Sequence, residues 1–251
     1  MSKYYITQEA WVKLLDFFQG FSGVYIKSES KLRCFMESIF WIARTGAQWR
    51  ELPPRYGKWS SIHKRFMRWA EKNVWDALLA YFSNDCDKES VILDSSNIRA
   101  HACSSGYEKD GNEKHALGRS KGGFTTKIHA LVDALGHALR FILTPGNRNE
   151  ITQASALIEG IKGANIIGDK AFDDDRFVEQ IQKQKCVAVI PSRKHRKTLR
   201  EYDKHLYRER HLIECFFGKL KSFRRIFSRF DKKASSYMAF LSFASVILWL
   251  R

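Results

Sequence analysis

Residues 124–169 read FTTKIHALVDALGHALRFILTPGNRNEITQASALIEGIKGANIIGD, and their patterning decides the fold. Phe124 to Val132 carries β-branched residues throughout and alternates in part, as a strand with one buried face does. Ala138 to Thr144 repeats that pattern after Gly136, so the two runs pair as a hairpin, and Pro145-Gly146 closes it. Helical periodicity follows over roughly Glu150 to Ile161. The apolar run Asn165 to Ile167 is then a further strand leading to Gly168-Asp169.

Working outward, Val91-Ile92-Leu93 is a short strand that ends on Asp94. Beyond Asp169 come a helix from about Asp173–Asp175, a strand Val187 to Ile190 stopped by Pro191, and a long helix from about Tyr207 to Arg229. The order β, β, β, α, β, α, β, α gives an α/β fold, a mixed sheet flanked by helices, in the ribonuclease-H-like order. It occupies residues 90–251. Residues 101–123 form a long glycine-rich polar loop after the first strand, and loops of that length are usually functional or disordered.

Residues 1–83 instead repeat tryptophan and phenylalanine at helical spacing. Glu29 to Arg44 is amphipathic and stops at Thr45-Gly46, and Trp59-Ser60-Ser61 opens the next helix with a serine cap. In that helix Ile62, Phe66 and Trp69 fall on one side and Lys64, Arg68 and Lys72 on another. Two readings fit: a helix-turn-helix reader whose second helix enters the major groove, or an ordinary helix with a solvated basic face. With NDCDKE (84–89) as linker, the sequence divides into a helical, helix-turn-helix-like domain 1–89 and a ribonuclease-H-like domain 90–251.

The net charge is +16. Residues 183–233 hold 17 Lys and Arg against five Asp and Glu, so the excess is concentrated, as on a surface for a polyanion such as nucleic acid. The five cysteines are scattered without a CxxC pair, which suggests neither zinc nor a disulfide frame and fits a reducing cytoplasm. The N-terminus lacks a secretory pattern, and the apolar stretch Tyr237 to Leu250 is too short to span a bilayer, so no membrane partner is expected. No phosphate-binding glycine loop of the nucleotide-hydrolysing kind is present.

Three acids sit where such a sheet gathers metal ligands. Asp94 and Asp169 end two strands that are parallel neighbours in this order, and Glu214 lies on the helix packed beside them. Magnesium is a hard cation held by carboxylates, water and phosphate oxygens. Two such ions can activate a water or a 3′-hydroxyl and stabilise the departing oxygen. At 100° per residue, Tyr207, Arg210, Glu214 and Lys221 share one side of the long helix, opposite Leu212, Ile213, Phe216, Leu220, Phe223 and Phe227. An acid flanked by two bases and a tyrosine reads as a metal ligand among phosphate contacts. The run Asp173-Asp174-Asp175 reads as helix-dipole acids instead.

These features resemble the DDE transposases of bacterial insertion sequences, of the insertion-sequence-five type within the insertion-sequence-four-like group. The resemblance rests on RTGAQWRELPPRYGKWSSIHKRFMRW, LDSSNIRAH, GRSKGGFTTKIHALVDALGHALRFILTPGN, GDKAFDDD and YRERHLIECFFGKLKSFRRIFSRFDK. The last carries the family's Y-x2-R-x3-E-x6-K signature at Tyr207, Arg210, Glu214 and Lys221. The resemblance implies that Asp94, Asp169 and Glu214 bind two Mg2+ ions, or Mn2+, and carry catalysis. It implies DNA contacts by Tyr207, Arg210 and Lys221, by Arg119 and Lys121 of the GRSKGG loop, and near Thr126, Lys127 and His129. Residues 59–72 would help recognise terminal inverted repeats. The partners implied are transposon ends and target DNA, with a homodimer in the synaptic complex and a nucleoid-associated place in the bacterial cytoplasm. Glu150 stands where relatives often have Asp and is left outside the site. The short Asp169-to-Glu214 spacing leaves no room for the β-rich insertion of some distant relatives.

Overall fold

The computed structural model describes residues 6–104, 115–120 and 123–251. The N-terminal apolar spacing folds as helices α1 (Gln8–Gly20), α2 (Glu29–Thr45), α3 (Trp59–Glu71) and α4 (Val74–Ser83). Thr7 caps α1 by accepting from the Ala10 amide at 3.2 Å, a bond type that contributes about 1 kcal/mol. Gly46 ends α2 in the left-handed region, φ 68°, where its N–H donates to the Ile42 carbonyl at 2.9 Å. The serine cap expected for α3 is absent: Lys58 takes that position without a side-chain bond, and Ser60 and Ser61 lie inside the first turn. The two faces of α3 separate as read. Ile62, Phe66 and Trp69 are buried, while Lys64, Arg68 and Lys72 are exposed.

The remaining elements are β1 (Ser90–Ala100), β2 (Gly118–Ser120), β3 (Gly123–Asp133), β4 (Ala138–Pro145), α5 (Ile151–Leu157), β5 (Asn165–Ile167), α6 (Asp175–Lys183), β6 (Val187–Val189), α7 (Lys204–Tyr207), α8 (His211–Lys221), α9 (Arg224–Phe227), β7 (Ser228–Arg229) and α10 (Ala234–Trp249). β3, β1, β5 and β6 lie side by side, and β4 and β2 pair along β3. β1–β3 and β3–β4 are antiparallel, whereas β1, β5 and β6 are parallel. That is the mixed sheet of the ribonuclease-H-like order. Two readings needed extension: the polar half of β1 remains strand to Ala100, and the glycine-rich loop contributes β2.

The expected single helix over 207–229 is three pieces. A 3-10 turn at Arg208–Arg210 precedes α8, and Phe223 is extended (φ −82°, ψ 107°) between α8 and α9. Phe223 is fully buried, and its ring lies 6.2 Å from that of Phe40. Burying this ring turns the backbone, so Phe227, expected on the apolar side, ends up exposed.

The sheet's period of two sorts its residues between two apolar clusters. Val91, Leu93, Leu131 and Ile166 pack on one face with α5, α6 and Phe172. Ile92, Ile128, Ala130, Val132 and Ile167 pack on the other with α8 to α10 and the N-terminal helices. The second cluster therefore crosses the 84–89 segment. At its centre α10 touches α2, α3, α4, α8 and β4. Three of its polar side chains are met there: Ser242 donates to Asp76 at 2.6 Å, Tyr237 to the Ile226 carbonyl at 2.9 Å, and the Trp249 indole to the Ala138 carbonyl at 3.0 Å. Among the described residues no helix is long and apolar enough to cross a membrane.

Candidate active site

Register places the first two acids. Ile92 of β1 pairs in parallel with Ile167 of β5. Asp94 and Asp169 each follow two residues later, so they leave the sheet at one level and on the α8 face. Gly168 keeps the strand direction by donating to the Val189 carbonyl at 3.3 Å, and Asp169 itself is extended. Its carboxylate then accepts the Ala171 amide at 2.7 Å and caps a short 3-10 turn.

The third acid comes from α8. Ile213, Phe216, Phe217 and Leu220 anchor that helix to the core, and Glu214 is exposed on the other side. Arg210, one turn earlier, joins the acids: its guanidinium donates to Asp94 Oδ2 at 3.0 Å and pairs with Glu214. Tyr207 hydrogen-bonds Arg210 and packs edge-on against Tyr202, with ring centroids 5.4 Å apart. Burial, opposed by Arg210, raises the Tyr207 hydroxyl above its ordinary value. Lys221 is half-buried two turns beyond Glu214 on α8. Gly218 is exposed with open space where a Cβ would stand, so a ligand backbone can come close to α8 there.

Asp94 is the group under most electrostatic load. Its side chain is only 17 % exposed. Burial pushes its carboxyl up to about 6, although the Ser95 amide and Arg210 pull the other way; the charges of Asp169 and Glu150 add to the rise. One guanidinium thus faces the charges of Asp94 and Glu214, while Asp169 acts on Asp94. Among the described residues no three His, Cys, Asp or Glu side chains stand together as a group that could hold a metal ion. The donor chemistry nevertheless fits one. Hard carboxylate oxygens, one of them buried and undercompensated, suit a divalent cation of the magnesium kind.

Two acids flank this centre differently from their reading. Glu150, set aside in the sequence, accepts from Ser95 Oγ at 2.6 Å and from Lys127 Nζ at 3.5 Å. It therefore braces β1 immediately beside Asp94. The sequence signal was an acid opening the helix after β4, and the polar residue next to Asp94 was its partner. Asp173 is not a helix-dipole acid. Its side chain is fully buried and accepts from the Arg193 amide and the Arg196 guanidinium, both at 2.8 Å, and from Arg200 at 3.2 Å. Burial raises its carboxyl, and these donors outweigh it, so the net shift is downward. Asp174 caps α6, and Asp175 pairs with Arg196 and Arg200 from the surface.

Several expected DNA contacts are placed elsewhere. Lys127 and His129 lie on the α5 face of β3, opposite Asp94, because Ala130 is the residue that pairs with Asp94. The Lys127 ammonium is tied to the Arg148 carbonyl at 2.8 Å and to Glu150. His129 is fully buried, with Nε2 2.8 Å from Thr144 Oγ1, so neither side chain is presented to DNA. Thr126 is on the correct face, where buried Arg229 donates to it at 2.6 Å. Arg119 is exposed on β2, its guanidinium 5.5 Å from the Phe124 ring, one residue beyond Gly118, which is level with Arg99 at the far end of β1. Lys121 lies outside the described residues.

The chain is similar to known proteins over most of its length. The family described as "Transposase DDE domain" matches residues 85–249, and one described as "Putative transposase of IS4/5 family" matches residues 6–79. A Brucella ovis protein named "Putative transposase for insertion sequence element IS6501" is 43% identical over 129 residues, which are 51% of this chain and 99% of that one. A Burkholderia cepacia protein named "Putative transposase for insertion sequence element IS402" is 27% identical over 135 residues, 49% of this chain and 62% of that one. Among solved structures, the piggyBac transposase synaptic complex with hairpin DNA is similar at a TM-score of 0.43 and 11% identity, covering 78% of this chain and 50% of that one. The Mos1 paired-end complex reaches 0.29 at 10% identity, covering 89% and 90%. Scores this low assign nothing, and the fold rests on the strand order given above.

Proposed function

The chain belongs to the family of transposase DDE domains, and from that premise we propose that it cleaves insertion-sequence ends and joins them to target DNA at Asp94, Asp169 and Glu214. The observation that carries this reading is the level pairing of Asp94 with Asp169 on the face of the sheet that α8 covers, where Arg210 links Asp94 to Glu214. The three carboxylates would hold Mg2+ or Mn2+. When bound, a pair of such ions supplies an activated oxygen nucleophile and stabilises the departing oxygen.

The chain's own side chains do the rest. Arg210 holds two acids in place and, on releasing Asp94, its fork can donate bidentately to two phosphate oxygens. Tyr207 steadies Arg210, and Lys221 offers a second cation farther along α8. Water would be the nucleophile in the first step. The 3′-hydroxyl it frees would be the nucleophile in the second, so one site serves both displacements. The exposed Lys64, Arg68 and Lys72 face of α3 would meet the terminal inverted repeats, and two copies of the chain would hold two ends.

The test uses purified protein, a labelled DNA end carrying the element's inverted repeat, a target plasmid and Mg2+, beside Asp94→Ala. Joined products from wild type and none from the variant are expected. Cleavage without joining would make the protein a nuclease, and binding alone an inactive DNA binder. Joining that survives Asp94→Ala would remove the acid from the site.

A further inference from the structure

The segment from β6 to α7, residues 190–203, forms neither helix nor strand. Connections of that length in compact domains are usually functional or disordered. β5 and β6 are parallel neighbours, so this segment leaves the sheet at the end where β5 delivers Asp169. It is then fastened to the Asp169 turn. The Arg193 guanidinium donates to the carbonyls of Lys170 at 3.2 Å and Ala171 at 2.7 Å, the two residues after Asp169. Its backbone N–H goes to buried Asp173, as do the side chains of Arg196 and Arg200.

That cage holds Arg196 and Arg200 half-buried, ties exposed Arg193 to the Asp169 turn, and leaves Lys194 and Lys197 exposed. The stretch 193–200, RKHRKTLR, contains no acid of its own. A fastened loop beside the turn of a candidate phosphodiester site, with Asp175 answering Arg196 and Arg200 while Lys194 and Lys197 add two exposed cations, is complementary to a polyanion. We propose that residues 193–200 are a DNA-docking loop, gripping the duplex backbone next to the reacting phosphate through Lys194 and Lys197. The Asp173 cage fixes its position, so less ordering entropy is lost on binding. The inference rests on the transposase reading for which polymer enters the site, but its test needs no catalysis.

Binding of a fluorescent duplex of arbitrary sequence is measured across a salt series for the full chain and for Lys194→Ala/Lys197→Ala. Each phosphate contact contributes about 0.9 to the slope of log affinity against log salt. The double variant is expected to lose affinity and to flatten the slope by about 1.8, with unchanged thermal stability. Lys162→Ala/Lys183→Ala removes the same charge at the opposite ends of β5 and β6, where both lysines are exposed, and is expected to leave the slope as it was. An unchanged slope in the first variant, or an equal loss in both, overturns the proposal. Failure of the transposase reading would look different: wild type would bind through the loop yet neither cleave nor join.

Discussion

Arg210 reaches Asp94 at 3.0 Å while pairing with Glu214 one helical turn away, so a single guanidinium sits at the junction of two candidate metal ligands. A divalent cation and this side chain compete for the same carboxylate charge. Arg210→Ala is therefore expected to enlarge the stabilisation produced by Mg2+, because ligand-linked stability grows with affinity. DNA joining should fall in the same variant. Thermal melts with and without Mg2+ decide it, and an equal shift in both proteins would count against the competition.

Asp94→Asn should stabilise the protein in EDTA at pH 7.5. The carboxyl titrates at about 6 in the folded chain against the ordinary aspartate value of 3.8, so above pH 6 the folded state carries the full cost of a buried charge. At about 1.36 kcal/mol per pH unit, that cost is at most about 3 kcal/mol. The weaker bond that a neutral amide makes to Arg210 reduces the gain. At about pH 2.5, well under the unfolded value of 3.8, the wild-type group is neutral in both states and the advantage disappears. Urea midpoints at the two pH values measure this; a variant less stable at pH 7.5 would refute it.

His129 works in the opposite sense over an overlapping range. Burial lowers its pKa to about 4 from 6.5, with the Lys127 charge adding to the fall. The neutral ring is favoured in the fold, so its contribution is complete above pH 6.5 and is lost as pH falls toward 4. The loss is at most about 3 kcal/mol by the same conversion. Because Asp94 gains where His129 loses, the wild-type curve alone mixes the two. His129→Gln keeps a neutral polar group opposite Thr144 and should flatten the fall in stability between pH 6.5 and 4, relative to wild type. Parallel curves would show that the ring does not titrate there.

Asp173 and Asp175 share two arginines but differ in burial, 0 % against 68 % side-chain exposure. Removing one member of a buried ion pair costs about 3–5 kcal/mol, whereas an exposed pair contributes about 0–1 kcal/mol. Asp173→Ala should thus be strongly destabilising and open the 190–203 segment to trypsin. Asp175→Ala should do neither. Denaturation curves and a timed digest test the contrast, which fails if the two variants behave alike.

How much of this was legible depended on where side chains decide structure locally. The hairpin Phe124–Thr144 and the strand Asn165–Ile167 were readable because apolar alternation and Gly136, Pro145 and Gly168 mark them in sequence. The second half of β1 was hidden because Ser95, Ser96 and Asn97 look like loop, yet Ser95 is held in strand by Glu150, a partner 55 residues away. The break before α9 was equally invisible. Ser222-Phe223 has no helix-breaking residue, and only the core cavity that receives Phe223 bends the chain. Lys127 and His129 were placed by resemblance when the pleat itself would have sided them: counting in twos from Ala130, opposite Asp94, puts odd-numbered neighbours on the other face. The Asp94–Asp169 pair follows from strand order alone, because both acids stand two residues beyond paired positions of β1 and β5. Arg210's double role needed coordinates.

α10 carries a consequence for how the protein comes to exist. The chain is synthesised from its N-terminus, so α1 to α4 emerge long before the helix against which α2, α3 and α4 pack. Until residues 234–249 are made, the tryptophans and phenylalanines of those four helices lack their central partner. A message truncated ahead of α10 would therefore yield a sticky, protease-sensitive fragment rather than a free-standing DNA-binding module. In a shortened gene copy, the four N-terminal helices and the carboxylate site would be lost together.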